Sequence, residues 1–211
     1  MATHAASRLA RSARLRGIYV VLNQNDRVLE LARAALGAGV GLLQYRAKAS
    51  IVAQNVRRLR EMTRDAGALL FVNDDWRAAQ EFDCDGVHLG PGDEGFDDIA
   101  RVRDALGERL IGVSCGTAGE LERARGADYA GVGSVYATGS KADAGDPIGI
   151  EGLRALASAT ALPVAAIGGI TLERLPAIRA AGAAMGAVIS ALAHAHDPQR
   201  AARELVSQWN A

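Results

Sequence analysis

Short apolar runs recur eight times along the chain, each followed by a longer segment with helical spacing, and this alternation restricts the fold more than any other feature. The runs lie at 17–23, 40–46, 68–73, 86–89, 109–114, 129–135, 163–168 and 185–190. Most are apolar at consecutive positions, as strands buried on both faces are. The segments 27–37, 51–65, 75–82, 97–106, 118–125, 150–159, 171–181 and 198–209 carry apolar residues at helical spacing. Val28, Leu29, Leu31, Ala32, Ala35 and Leu36 make one such stripe. Strand–helix units repeating roughly every 20–25 residues predict an α/β fold, a closed (β/α)8 or TIM barrel. A doubly wound open sheet is the alternative. It is disfavoured because the turn after the first run reads Leu22-Asn23-Gln24-Asn25-Asp26, without the glycines of a dinucleotide-binding turn.

The 211 residues suit one barrel domain over 17–211, with no low-complexity linker. Residues 1–16 hold Arg8, Arg11, Arg14 and Arg16 and no acid. Such a segment can be an organelle leader. A short helix or N-terminal extension is the favoured reading, since so short a leader leaves almost nothing to remove before Ile18. The 24 basic and 24 acidic residues balance, so no global field points to nucleic acid or a membrane. Aromatic residues make up only 4%, which weakens base-stacking or sugar-platform readings. Cys84 and Cys115 form neither a disulfide framework nor a metal spacing, and a reducing cytoplasm suits them. The expectation is a cytoplasmic protein acting on small molecules, with assembly into a homo-oligomer left open.

A barrel places its chemistry at the C-terminal ends of its strands, and the polar residues gather there. The second run ends in Gln44, Arg46 and Lys48, spaced by two so that all three share one face of an extended chain, with Tyr45 and Ala47 turned to packing. The third ends in Asn73-Asp74-Asp75 and the fourth in His88-Leu89-Gly90-Pro91-Gly92-Asp93. The fifth ends in Ser114-Cys115, and the sixth runs into Thr138-Gly139-Ser140-Lys141. The seventh and eighth end in Gly168-Gly169 and Ile189-Ser190. Arg46, Lys48 and Lys141 supply the positive charge a polyphosphate needs. Asp74 and Asp93 are hard oxygen donors, and two carboxylates with substrate phosphates are the usual setting for Mg²⁺. Gly168-Gly169 and Ile189-Ser190 stand where barrels often build a backbone phosphate site. Together these predict a Mg²⁺–pyrophosphate site and a separate monophosphate site in one mouth. Taken singly, Asp75 reads as a helix cap, Asp128 as a strand opener and His88 as a satisfied core histidine. The segment from Gly139 to Pro147 has the composition of a lid.

These residues resemble the thiamine-phosphate synthase family from Ile18 to about Ala191. The specific pieces are Gln44-Tyr45-Arg46-Ala47-Lys48, Asn73-Asp74-Asp75, Gly86-Val87-His88-Leu89-Gly90 with Asp93, Ile111-Gly112-Val113-Ser114, Asp128-Tyr129-Ala130-Gly131-Val132-Gly133, Thr138-Gly139-Ser140-Lys141 and Ala166-Ile167-Gly168-Gly169-Ile170. The resemblance implies a (β/α)8 barrel that joins hydroxymethylpyrimidine diphosphate to a thiazole phosphate, giving thiamine phosphate and pyrophosphate. It implies that Gln44, Arg46, Lys48, Asn73 and Ser114 hold the pyrimidine diphosphate and that Asp74 and Asp93 ligate Mg²⁺. It also implies that Lys141 holds the departing pyrophosphate. Thr138 to Ser140 would line the thiazole phosphate site, with the phosphate on Gly168, Gly169, Ile189 and Ser190. The implied catalytic set is Arg46, Lys48, Ser114 and Lys141, acting through a dissociative substitution without a protein nucleophile. This chain departs from the family at Pro91-Gly92, where a Gln and an acid are usual, at Ser140, where threonine is common, and at Cys115, where histidine often stands. A thiazole tautomerase and a non-catalytic thiamine-phosphate-binding paralogue are the alternatives, and neither explains the full diphosphate and metal set.

Overall fold

In the computed structural model, which describes residues 7–139 and 146–211, eight parallel strands close on themselves in sequence order. They are β1 (Gly17–Asn23), β2 (Leu42–Arg46), β3 (Leu69–Asn73), β4 (Gly86–Leu89), β5 (Leu110–Cys115), β6 (Tyr129–Val132), β7 (Val164–Ile167) and β8 (Met185–Val188). β8 pairs back onto β1, with Ile18 opposite Gly186. A short helix α1 (Arg8–Ser12) precedes the barrel. The outer layer is α2 (Val28–Gly37), α3 (Ala53–Asp65), α4 (Trp76–Glu81), α5 (Ile99–Leu106), α6 (Ala118–Arg123), α7 (Gly149–Ser158), α8 (Leu175–Ala180), the short α9 (Ser190–Ala193) and α10 (Pro198–Asn210).

Consecutive apolar residues suit these strands because each strand has two buried faces. Ile18, Val20, Leu22, Leu43 and Tyr45 face outward and pack with Val28, Leu31, Val56 and Leu59 of the helices. Tyr19, Leu42, Leu69, Phe71, Leu110, Tyr129 and Met185 face inward and fill the barrel. Tyr45 is fully buried among the outer set, and its hydroxyl donates to Gln24 Oε1 at 2.8 Å and accepts from Val52 N at 3.0 Å. Several helices begin on a capping side chain. Asp75, Asp98, Thr117 and Asp197 accept from the backbone N–H three residues on, which satisfies donors that the helix itself cannot.

The end of the barrel opposite the strand C-termini is closed by charge. Asp85, just before β4, is 5% exposed and accepts from Leu70 N at 3.0 Å, Arg11 at 3.2 Å and Arg60 at 2.8 Å. Asp128, just before β6, accepts from Ile111 N at 2.7 Å and pairs with Arg8 and Arg103. Two of these arginines, Arg8 and Arg11, lie on α1. The N-terminal basic residues thus meet buried carboxylates that need partners.

Two runs stop two or more residues short of their predicted C-terminal ends as strands. The sixth stops at Val132, although Val135 is buried and still donates to Ile167 O at 2.9 Å. Backbone bonds to the end of β7 thus continue past the regular ladder to Val135 and Tyr136. The eighth stops at Val188, and Ser190 opens α9. Both shortened ends lie at the mouth, where the chain must leave the ladder to line a cavity. No helix among the described residues is long and apolar enough to cross a membrane.

Candidate active site

The strand C-termini surround a cavity of about 340 Å³. Of the residues predicted to build the site, Gln44, Arg46, Asn73, Asp74, Asp93, Ser114, Thr138, Gly168, Gly169, Ile189 and Ser190 all line it. Gly139 lines an adjoining hollow of about 800 Å³, which shares Thr138, Gly169, Ile189 and Ser190 with the first. Lys48 is exposed and lies in a bend two residues past the end of β2, outside the cavity lining. The strand alternation therefore carries Gln44 and Arg46 inward and ends before Lys48. Ser140 and Lys141 lie outside the described residues, as does most of the expected 139–147 lid.

One side of the mouth, from β2 to β5, carries charge and amide groups. Arg46 Nη1 donates to Asn23 Oδ1 at 3.3 Å, which holds the guanidinium across the end of β1. Asp74 follows β3 with φ +70°, a left-handed conformation that is uncommon without glycine and recurs at functional sites. Its neighbour Asp75 caps α4 instead, accepting from Ala78 N at 2.9 Å. Asp93 Oδ2 accepts from Gly90 N at 2.6 Å, so the Pro91-Gly92 loop folds back and brings this carboxylate to the rim. Among the described residues, no group of three or more His, Cys, Asp or Glu side chains is placed to hold a metal ion unaided. Asp74 and Asp93 are two hard donors beside open cavity, a set that fits Mg²⁺ when ligand oxygens complete its coordination.

The other side, from β6 to β8, has no charged residue among its described lining and combines glycines with small hydroxyl and apolar side chains such as Ser134, Thr138, Ile167 and Ser190. Gly168 and Gly169 have φ of +100° and +63°, and a Cβ at Gly169 would lie 2.8 Å from Ala137 O and from Tyr136 Cβ. Their carbonyls are engaged: Gly168 O accepts from Tyr136 N at 3.0 Å, and Gly169 O accepts from Arg174 Nη1 at 2.5 Å. The Arg174 guanidinium also lies 4.1 Å over the Tyr136 ring.

Beneath both sides runs a hydrogen-bond chain. Gln44 Nε2 donates to the Tyr19 hydroxyl at 2.9 Å, and that hydroxyl lies 2.8 Å from the Tyr129 hydroxyl. The Tyr129 hydroxyl lies 3.0 Å from His88 Nδ1, and His88 Nε2 lies 3.0 Å from Ser114 Oγ. The His88 and Tyr129 rings stack at 5.5 Å. Two glycines leave room for this chain. A Cβ on Gly112 would lie 2.0 Å from the Tyr129 ring, and one on Gly131 would lie 2.8 Å from His88 Cε1. Burial pushes both phenols above their ordinary pKa. It also drives the Cys115 thiol on the cavity wall up to about 12. His88 does have both ring nitrogens bonded, as a core histidine should, yet it also forms part of the cavity wall. In the sequence Tyr19, Tyr129 and His88 do not stand out as a unit. The available signal was the pairing of inward phenols and an imidazole with inward glycines.

The comparisons with known proteins cover this same architecture. A family model described as thiamine monophosphate synthase matches residues 18–192. A thiamine-phosphate synthase of Moorella thermoacetica is 46% identical over 198 residues, spanning 89% of this chain and 93% of its own length. One of Archaeoglobus fulgidus is 46% identical over 182 residues, 84% of each chain. Among solved structures, a thiamine phosphate pyrophosphorylase from Pyrococcus furiosus matches with a TM-score of 0.85 at 34% identity, covering 94% of this chain and 98% of that one. A 3-hexulose-6-phosphate synthase matches with a TM-score of 0.70 at 19% identity and shares the fold alone. The matched residues run from the first strand past the last, taking in both sides of the mouth, and the chain belongs to the thiamine monophosphate synthase family.

Proposed function

We propose that the chain joins hydroxymethylpyrimidine diphosphate to a thiazole phosphate, giving thiamine phosphate and releasing pyrophosphate. The observation that carries this reading is the division of one cavity. A cation, amide and carboxylate set lies on its β2–β5 side, and a glycine turn with its carbonyls engaged lies on its β7–β8 side. Gln44, Arg46, Asn73 and Ser114 hold the pyrimidine diphosphate, with Lys48 reaching in from the rim. Gly168, Gly169, Ile189 and Ser190 hold the thiazole phosphate, and Thr138, Gly139 and Ser140 line its approach. Lys141 steadies the departing pyrophosphate. Asp74 and Asp93 hold Mg²⁺, which supplies positive charge to the diphosphate oxygens when bound.

In the reaction the CH₂–O bond of the pyrimidine breaks, pyrophosphate leaves with the electron pair, and the thiazole nitrogen lone pair forms the new C–N bond. Arg46, Lys48 and Lys141 favour the step by stabilising charge that grows on the leaving oxygen. A fixed donor of this kind is worth about 2.7–4 kcal/mol in a water-excluded site, and less at the exposed rim where Lys48 lies. No protein base is needed, since no proton must leave the reacting atoms.

The test mixes the full chain with Mg²⁺ and each substrate alone or both together. Pyrophosphate release that requires both substrates supports the proposal. Isomerisation of the thiazole without release, or tight binding of thiamine phosphate without turnover, overturns it.

A further inference from the structure

We propose that the hydrogen-bond chain inside the barrel has a set direction: it runs from the Gln44 amide to Ser114, holds His88 as its Nε2–H tautomer, and leaves the Ser114 hydroxyl hydrogen to donate into the cavity. Tyr19, Tyr129 and His88 are then positioning residues that act through Ser114. The hydrogens available along the chain set this direction. An amide N–H cannot accept, so the Tyr19 oxygen is the acceptor from Gln44. Tyr19 has one hydrogen of its own, which goes to the Tyr129 oxygen at 2.8 Å. Tyr129 therefore spends its single hydrogen on His88 Nδ1 at 3.0 Å. A ring nitrogen that accepts carries no hydrogen, so the imidazole hydrogen sits on Nε2 and goes to Ser114 Oγ at 3.0 Å. The Gln44 amide is also hydrogen-bonded to the Tyr129 oxygen, which leaves the direction unchanged because an amide N–H only donates. Each hydroxyl and the imidazole pass one hydrogen forward, and the Ser114 hydrogen remains for the cavity. With both ring nitrogens protonated, Tyr129 would have to donate backward to Tyr19. The Tyr19 hydrogen would then lose this acceptor inside a fully buried site.

The surroundings favour this arrangement. Burial raises the pKa of both phenols, so both remain hydrogen donors. Tyr19, Phe71 and Tyr129 pack ring to ring at 5.5–5.9 Å, which fixes where the two hydroxyls sit. The absence of a side chain on Gly112 and Gly131 lets Tyr129 and His88 occupy the barrel axis.

The consequence concerns recognition. With its oxygen already accepting from His88, Ser114 offers the cavity a donor. The substrate atom it meets is a lone-pair acceptor, a pyrimidine ring nitrogen or a diphosphate oxygen. This rests on the proposed function only for the identity of that substrate.

Two measurements test the proposal. In the full chain labelled with ¹⁵N-histidine and free of ligand, His88 is assigned by the loss of its signals in His88→Asn. Its Nδ1 should show the shift of a bare ring nitrogen and its Nε2 that of a protonated one. Tyr129→Phe, which removes one oxygen, should move the Nδ1 signal and admit the other tautomer. A protonated Nδ1 in the unmodified chain, or an Nδ1 signal indifferent to Tyr129→Phe, overturns the proposal. The second measurement is a double-mutant cycle in kcat/KM for the pyrimidine diphosphate. Ser114→Ala should lose about tenfold or more and Tyr129→Phe about fivefold, with Tyr129→Phe adding nothing once Ser114 is alanine. Additive losses mean that Tyr129 does not act through Ser114. If the unmodified chain releases no pyrophosphate, the proposed function falls while the tautomer is still decided by the ligand-free spectrum.

Discussion

Replacing Gly169 by alanine separates the two sides of the mouth. The residue has φ +63°, and its new Cβ would stand 2.8 Å from Ala137 O and from Tyr136 Cβ and 3.3 Å from Arg174 Nη1. The left-handed backbone alone costs a side chain about 1–2 kcal/mol. The clash adds to this and pushes the turn away from the 136–138 segment. If that turn carries the thiazole phosphate, losing one charge-assisted hydrogen bond costs about 1.5–3 kcal/mol, or roughly 10- to 150-fold in affinity. The matched control is Gly182→Ala. Its φ is +96°, and its Cβ would meet only the Ala157 Cβ at an ordinary 3.5 Å, on the loop before β8 and away from the mouth. Initial rates of pyrophosphate release should show a KM for thiazole phosphate raised at least tenfold in Gly169→Ala, with the KM for pyrimidine diphosphate within about twofold. Gly182→Ala should lower Tm by about 2–8 °C and leave both KM values alone. An equal rise in both KM values, or an unchanged thiazole phosphate KM in a folded Gly169→Ala, would refute the assignment of the phosphate to this turn.

Asp85→Ala takes the carboxylate from Arg11, which keeps its bond to Glu108 O, and from Arg60, and it removes the acceptor of the Leu70 N–H, which should cost about 3–5 kcal/mol. Thermal unfolding should fall by about 6–20 °C, whereas Arg11→Met should cost less because Arg60 still faces the carboxylate. Burial holds the Cys84 and Cys115 thiols at about 12, so at pH 8 a disulfide reagent should label neither thiol in the folded chain and both in urea. The same shifts set a sign for stability. Thiols of the unfolded chain ionise near their ordinary value of 9.0 while the folded ones stay protonated, so stability is full below that pH and falls as pH rises toward 12. The urea midpoint should be lower at pH 10 than at pH 8.

The barrel was legible because strands buried on both faces leave continuous apolar runs, and eight of them alternate with amphipathic segments. The mouth was legible because residues that leave a strand at its C-terminal end have few structural reasons to be charged. Gln44 and Arg46 follow the strand period, whereas Lys48 lies past the last ladder bond, where period two no longer applies. The interior chain was hidden for a different reason. Tyr19 and Tyr129 look like ordinary core aromatics in sequence, and only closure of the barrel brings residues from β1, β2, β4, β5 and β6 within hydrogen-bond reach. The seal at the opposite end was hidden likewise. A short N-terminal helix is what residues 1–16 suggest, but nothing local shows that Arg8 and Arg11 pair with Asp128 and Asp85 far along the chain.

The proposed function requires one division: diphosphate and cation on the β2–β5 side, monophosphate on the β7–β8 side. A crystal structure of the full chain with Mn²⁺, pyrophosphate and the thiazole phosphate measures it directly through the anomalous signal of the cation. That signal is expected at Asp74 and Asp93, pyrophosphate oxygens against Arg46 and Asn73, and the monophosphate on Gly169 and Ser190. A cation bound away from both aspartates, or both phosphate groups on one side of the mouth, would contradict it.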